Sequence, residues 1–90
     1  MTKRPAPAEP QVIALLALAE LVGDERMATR FLSLSGLTAG DLRAGASTPV
    51  MQRAVLDFLA GHEPDLLAVA AAIGFEPADL EHARTALESL

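Results

Sequence analysis

The chain of 90 residues has no cysteine, no tryptophan and no tyrosine, and its three phenylalanines are its only aromatic side chains. Without cysteine there is no disulfide framework, no thiolate metal site and no thiol nucleophile. An aromatic content of 3% argues against a β-rich core, because strands draw on aromatic and β-branched residues. No apolar run is long enough to cross a bilayer, which takes about 20 residues; the run from Val12 to Ala19 is broken by Glu20. The N-terminus does not read as a secretory signal, since Lys3 and Arg4 are followed by Pro5, Pro7 and Pro10 instead of an apolar stretch with a small-residue cleavage site. The cytoplasm is therefore the expected location, and no membrane partner is expected.

Site chemistry is missing too. Ser33, Ser35, Ser47 and Ser89 lie outside any G-x-S-x-G elbow and have no histidine near them in sequence. Each glycine stands where a helix should end, so there is no glycine-rich phosphate loop. Adjacent carboxylates occur as Asp24-Glu25 and around helix starts, where the helix dipole accounts for them. His62 and His82 are 20 residues apart. Asp79 and His82, three apart on one helical face, could offer two metal ligands, but an exposed helical pair is the plainer account. No catalytic, cofactor-binding or metal-ligating residue is nominated, no cofactor is expected, and the chain is not expected to be an enzyme.

What is present is helical material. Hydrophobic residues make up 51% of the chain and are mostly Ala and Leu, both strong helix formers. Residues 1–9 read as a disordered tail and residues 10–90 as a single all-α domain. The first helix spans Pro10 to Val22, is apolar on nearly every face and should be central, with Gly23 as its left-handed stop. Asp24 caps a second helix with Met27, Phe31 and Leu34 along one stripe, ended by Gly36. Thr38 and Asp41 have the form of a capping box for a short third helix that fades at Gly45. Thr48-Pro49 restarts the pattern with a fourth helix to Ala60, where Met51, Val55, Phe58 and Leu59 face inward and Gly61 closes. A fifth helix from Pro64 buries Leu66, Val69, Ala70 and Ile73 and stops at Gly74. A sixth from Pro77 places Leu80, Ala83, Leu87 and Leu90 on one side.

Laying residues 11–52 on 49–90 gives eight identities without a gap, among them Gly23 with Gly61, Gly36 with Gly74, Asp41 with Asp79 and Leu42 with Leu80. Any Ala/Leu-rich helical chain shows some self-similarity, but here the matched positions include the helix stops. The expectation is a compact bundle of five or six helices made of two tandem three-helix units, about 10–47 and about 48–90, with a period of 38 residues. One such unit is too small to bury its own apolar faces, so the two should pack together.

The net charge of −5 falls unevenly. Residues 1–61 carry six bases and six acids, whereas residues 62–90 carry six acids against Arg84 alone. This opposes a helix-turn-helix reading of the helices flanking Gly74, the better of two such candidates. A recognition helix brings Arg, Lys, Asn or Gln to base edges, and this one would present Glu76, Asp79 and Glu81. Arg26 and Arg30, at i and i+4 opposite the Phe31 stripe, read as a solvated basic face. The more suggestive feature is the apolar excess of the first helix and of Ala68–Ile73. Surface left uncovered there would serve self-association, as in a homodimer, or a partner helix. The leading expectation is a small non-catalytic protein–protein interaction module; the alternative is a helix-turn-helix-like DNA-binding or transcription-associated protein.

The stretch Arg30-Phe-Leu-Ser-Leu-Ser-Gly-Leu-Thr-Ala-Gly-Asp-Leu-Arg43, with Val55-Leu-Asp-Phe-Leu59 and Gly74-Phe-Glu-Pro-Ala-Asp-Leu80, resembles the family of small bacterial proteins known as domain of unknown function 3572. The resemblance extends over about residues 10 to 88. It implies a bacterial cytosolic helical protein and brings no catalytic residue, cofactor or substrate with it.

Overall fold

The computed structural model describes residues 9–89. Of the expected tail only Glu9 lies among them, and Leu90, expected to face the core, lies outside them. Six helices follow one another: α1 (Pro10–Gly23), α2 (Glu25–Ser35), α3 (Ala39–Gly45), α4 (Pro49–Ala60), α5 (Glu63–Ile73) and α6 (Pro77–Leu87). There is no strand among the described residues.

The helix starts have local causes. Asp24 Oδ1 accepts the Met27 N–H at 3.0 Å and so caps α2. Thr38 and Asp41 form the expected capping box, with Thr38 Oγ1 accepting the Asp41 N–H and Asp41 Oδ2 accepting the Thr38 N–H, both at 3.0 Å. Thr48 Oγ1 accepts the Met51 N–H at 3.2 Å ahead of Pro49, the first residue of α4. At the start of α6, Asp79 Oδ2 accepts the Glu76 N–H at 2.8 Å.

Two of the four expected glycine stops behave as such. Gly36 at φ 76° and Gly74 at φ 81° occupy the left-handed region that β-carbon crowding closes to other residues. Gly23 and Gly61 do not: Gly23 is the last residue of α1, and Gly61 sits at φ −81° and ψ −2°. The residue after each makes the corner instead. Asp24 (φ −109°, ψ 108°) and His62 (φ −143°, ψ 91°) are extended and redirect the chain in one step, so no left-handed residue is needed there.

The bounds of the elements also recur. Adding 38 to the ends of α2, 25 and 35, gives 63 and 73, the ends of α5, and the starts of α3 and α6, 39 and 77, differ by the same offset.

As its all-round apolar surface requires, α1 lies at the centre and packs against α2, α4, α5 and α6. It buries Ile13, Ala14, Ala17, Leu18 and Leu21 against Val55, Leu56 and Leu59 of α4, Val69 of α5 and Leu80 and Leu87 of α6. Phe31 of α2 meets the Phe58 ring edge-on, with centroids 5.3 Å apart and an interplanar angle of 80°. The third position of the α2 stripe departs from expectation: Leu34 is 73% exposed. It lies in the last turn of α2, where it rims a shallow recess beside Ala54 and Phe58 without filling it, and the chain turns away at Gly36. Phe58 and Ile73 are half-buried at the edge of the core. Gln52, a polar residue not expected inside, is buried in α4, and its Nε2 donates to the Ala46 carbonyl at 3.1 Å, tying α4 to the end of α3.

The third and sixth helices sit differently. α6 packs on α1, α4 and α5, whereas the main contact of α3 is with α4. α3 is short and ends at Gly45, where an added β-carbon would come within 3.1 Å of Met51 Cε, so α3 closes directly onto the first turn of α4.

Candidate functional site

Because α3 leans on α4, it leaves a gap beside α1. The gap is an apolar groove of about 420 Å³ between α1, α2 and α3. α1 supplies Leu18, Ala19 and Val22, and α2 supplies Ala28 and Leu32 one turn apart. α3 closes the far wall with Leu42 and Arg43. Arg43 is the one charged residue in the lining, and no carboxylate lines the groove. Of the nine lining residues four are alanines (Ala19, Ala28, Ala39 and Ala46), and their small size makes the space.

The groove opens beside a second apolar feature. Val12, Leu15, Leu16 and Val22 are between 41% and 50% exposed, and with exposed Ala19 they form a stripe along the outer side of α1. The spacing i, i+3, i+4, i+7, i+10 is that of a helix face made to meet another helix. α1 therefore buries one side in its own core and presents a ridge of large apolar side chains on the other, next to a groove walled largely by alanines.

The equivalent space at the other end is shut. The positions 38 residues beyond Ala19, Ala28, Leu42 and Ala46 are Asp57, Leu66, Leu80 and Arg84. Leu66 and Leu80 are buried. Arg84 reaches from α6 to Asp57 of α4, Nη1 to Oδ1 at 3.2 Å, and holds Glu81 on its own helix, Nη2 to Oε1 at 3.1 Å. The hydrogen bonds to Glu81 and then Asp57 raise the pKa of the guanidinium from its already strongly basic value. Arg53 extends the network with Asp57 and Glu88, each at 3.7 Å. Arg84 is the sole fixed cation of α6, and both its terminal nitrogens face carboxylates.

A second polar cluster corrects the solvated reading of Arg30. Its guanidinium lies over the Phe58 ring, 5.5 Å from the centroid, and ion-pairs with Asp65 of α5. His62 Nδ1 approaches Asp65 Oδ2 at 3.0 Å and Arg30 Nη2 at 3.4 Å. The corner before α5 puts His62 within reach of Asp65, three residues on, and the close approach of Phe31 to Phe58 brings Arg30 over the same ring. The cluster ties α2 to α5 and is structural. Arg26 is exposed, as expected.

The remaining polar residues weighed for chemistry are scattered. His82 is exposed, and Asp79 caps the start of α6. Ser35 Oγ accepts the Leu37 N–H at 3.2 Å in the turn around Gly36. Among the described residues no three His, Asp or Glu side chains are grouped to hold a metal ion, and no helix is long and apolar enough to cross a membrane.

A family model described as protein of unknown function (DUF3572) matches residues 7–89. The chain belongs to this family. The match takes in all six helices, so the groove and its closed counterpart both lie within one DUF3572 domain. No curated protein and no solved structure matches the chain.

Sequence reasoning expected uncovered apolar surface on α1 and did not place the groove. The signal was in the aligned halves: Ala19, Ala28 and Ala46 stand where the second half has Asp57, Leu66 and Arg84.

Proposed function

We propose that this DUF3572 domain is a small, non-catalytic protein–protein interaction module that docks its partner on the outer face of α1 and the adjoining groove. The observation that carries this reading is the contrast between the open α1–α2–α3 groove and the closed space between α4, α5 and α6. Half-exposed leucines and valines on a central helix are surface that a self-sufficient bundle would cover. We further propose that the domain is made of two three-helix units offset by 38 residues, of which the second is completed internally and the first by a partner, and that it works in a bacterial cytoplasm. The recurrence of the α2 bounds in α5 supports the two-unit reading.

The test is isolation of the tagged chain from its own cells under native conditions, with wild type compared against Leu15→Glu and against Leu67→Glu, a substitution at an exposed leucine of α5. A protein retained by wild type and Leu67→Glu but lost with Leu15→Glu is the expected result. The same retained proteins for all three would overturn the reading.

A further inference from the structure

We infer that the occupant of this face is a second copy of the chain, related by a twofold axis, with the α1 ridge of each copy seated against the groove of the other. This rests on the docking reading above and names its partner. A twofold interface uses the same patch on both subunits, so the patch must complement itself. This one does, because a ridge of large side chains lies directly beside a groove walled by small ones on the same face.

The register follows from spacing. The seam residues Val12, Leu15, Ala19 and Val22 are separated by 3, 4 and 3, a pattern that is its own reversal. Two α1 helices crossing antiparallel therefore oppose Val12 with Val22 of the second copy and Leu15 with Ala19, large against small. The parallel arrangement would set Leu15 on Leu15 and bring Glu20, exposed beside the seam, against its own copy. Like charges directly opposed are unfavourable, as are parallel helix dipoles.

Area sets the strength. Four side chains exposed by 41–50% and the mouth of the groove offer on the order of 400 Å² of apolar surface per copy, or about 800 Å² for a pair before a polar rim is added. That is the low end for a specific complex, so the dimer is weak and exchanges with monomer. Charge sets the salt dependence. Each copy carries a net charge of −5, and the groove lining contains no carboxylate. Added salt screens the repulsion between copies and strengthens their association, whereas attraction to a basic partner would weaken.

Sedimentation equilibrium of the full chain from about 10 μM to about 1 mM, at low and high salt, reads this directly. The expected result is a mass rising from one copy towards two, at lower concentration in high salt. Leu15→Glu should weaken association about tenfold or more while circular dichroism keeps its helical signal, because the side chain is already half in water. A mass of one copy throughout overturns the proposal, as does a dimer unaffected by Leu15→Glu. Orientation is tested by single cysteines, which are unambiguous in a cysteine-free chain. Mixed Val12→Cys and Val22→Cys proteins should cross-link to each other faster than Val12→Cys links to itself, and the reverse order overturns the antiparallel arrangement. If the chain stays monomeric but Leu15→Glu still loses a protein in the native isolation, only the second copy is excluded as occupant. If nothing is lost there either, the docking reading fails with it.

Discussion

At one end of the bundle Ala19, Ala28 and Ala46 surround open space; 38 residues on, Asp57, Leu66 and Arg84 close it. The helix starts agree between the halves, as do the left-handed turns at Gly36 and Gly74. They differ where the third helix of each half comes to rest. α6 reaches α1 and α4 together and is clasped by Arg84, while α3 settles on α4 and leaves α1 half uncovered. A short helix set a few ångströms to one side is enough to turn a core position into a docking position.

The largest test of this contrast is truncation of the matched leucines. Leu80→Ala, inside the closed end, should destabilise by about 3–4 kcal/mol in urea unfolding, whereas Leu42→Ala, on the groove wall, should cost about 1–2 kcal/mol because its cavity opens to water. Equal losses would break the comparison. The glycines probe what the halves share. Gly36→Ala and Gly74→Ala should each cost about 1 kcal/mol or more, as both force an L-residue into the left-handed region. Gly23→Ala and Gly61→Ala should be neutral or slightly stabilising, since neither has a positive φ and an added β-carbon meets nothing closer than 3.6 Å. Filling the groove should make the ends alike: Ala28→Leu, copying Leu66, should raise stability by about 1 kcal/mol and weaken association. A stabilised variant that associates like wild type would separate the groove from docking.

The smallest expected effect is that of the clasp. Arg84→Met should lose no more than about 1 kcal/mol, since the ion pairs are partly exposed and screened by salt. Its pH dependence follows from the raised pKa of Arg84. A raised pKa gives stability that is fully present below the unfolded value and is lost only as pH rises through the folded one, and both lie far into the alkaline range. The difference between wild type and Arg84→Met should therefore be constant across neutral pH. A difference that changes there would mean that another titrating group controls the clasp.

Much of the fold was legible because its signals are local. Thr38 with Asp41, Thr48 with Pro49, and Asp24 ahead of α2 satisfy backbone groups within three residues, and the chain needs no knowledge of its tertiary partners to place them. Leu34, Gly23, Gly61, Arg30 and Gln52 were misread or missed for the opposite reason. Whether Leu34 is covered depends on where α4 passes, and whether Arg30 is solvated depends on Phe58 and Asp65, both far along the chain. Gln52 is inside because the end of α3 offers it the Ala46 carbonyl. The surface on α1 was half legible: its apolar excess was visible, but the side left bare was not.

By itself the sequence determined the helical class, six helices with nearly all their bounds, the central place of α1 and the DUF3572 membership, because capping, periodicity and apolar content act over one or two helical turns. Tertiary structure alone decided that α6 closes its end and α3 does not. That outcome turns on how two helices of unequal length share the sides of α4 and α1, a competition among long-range contacts that no local spacing encodes.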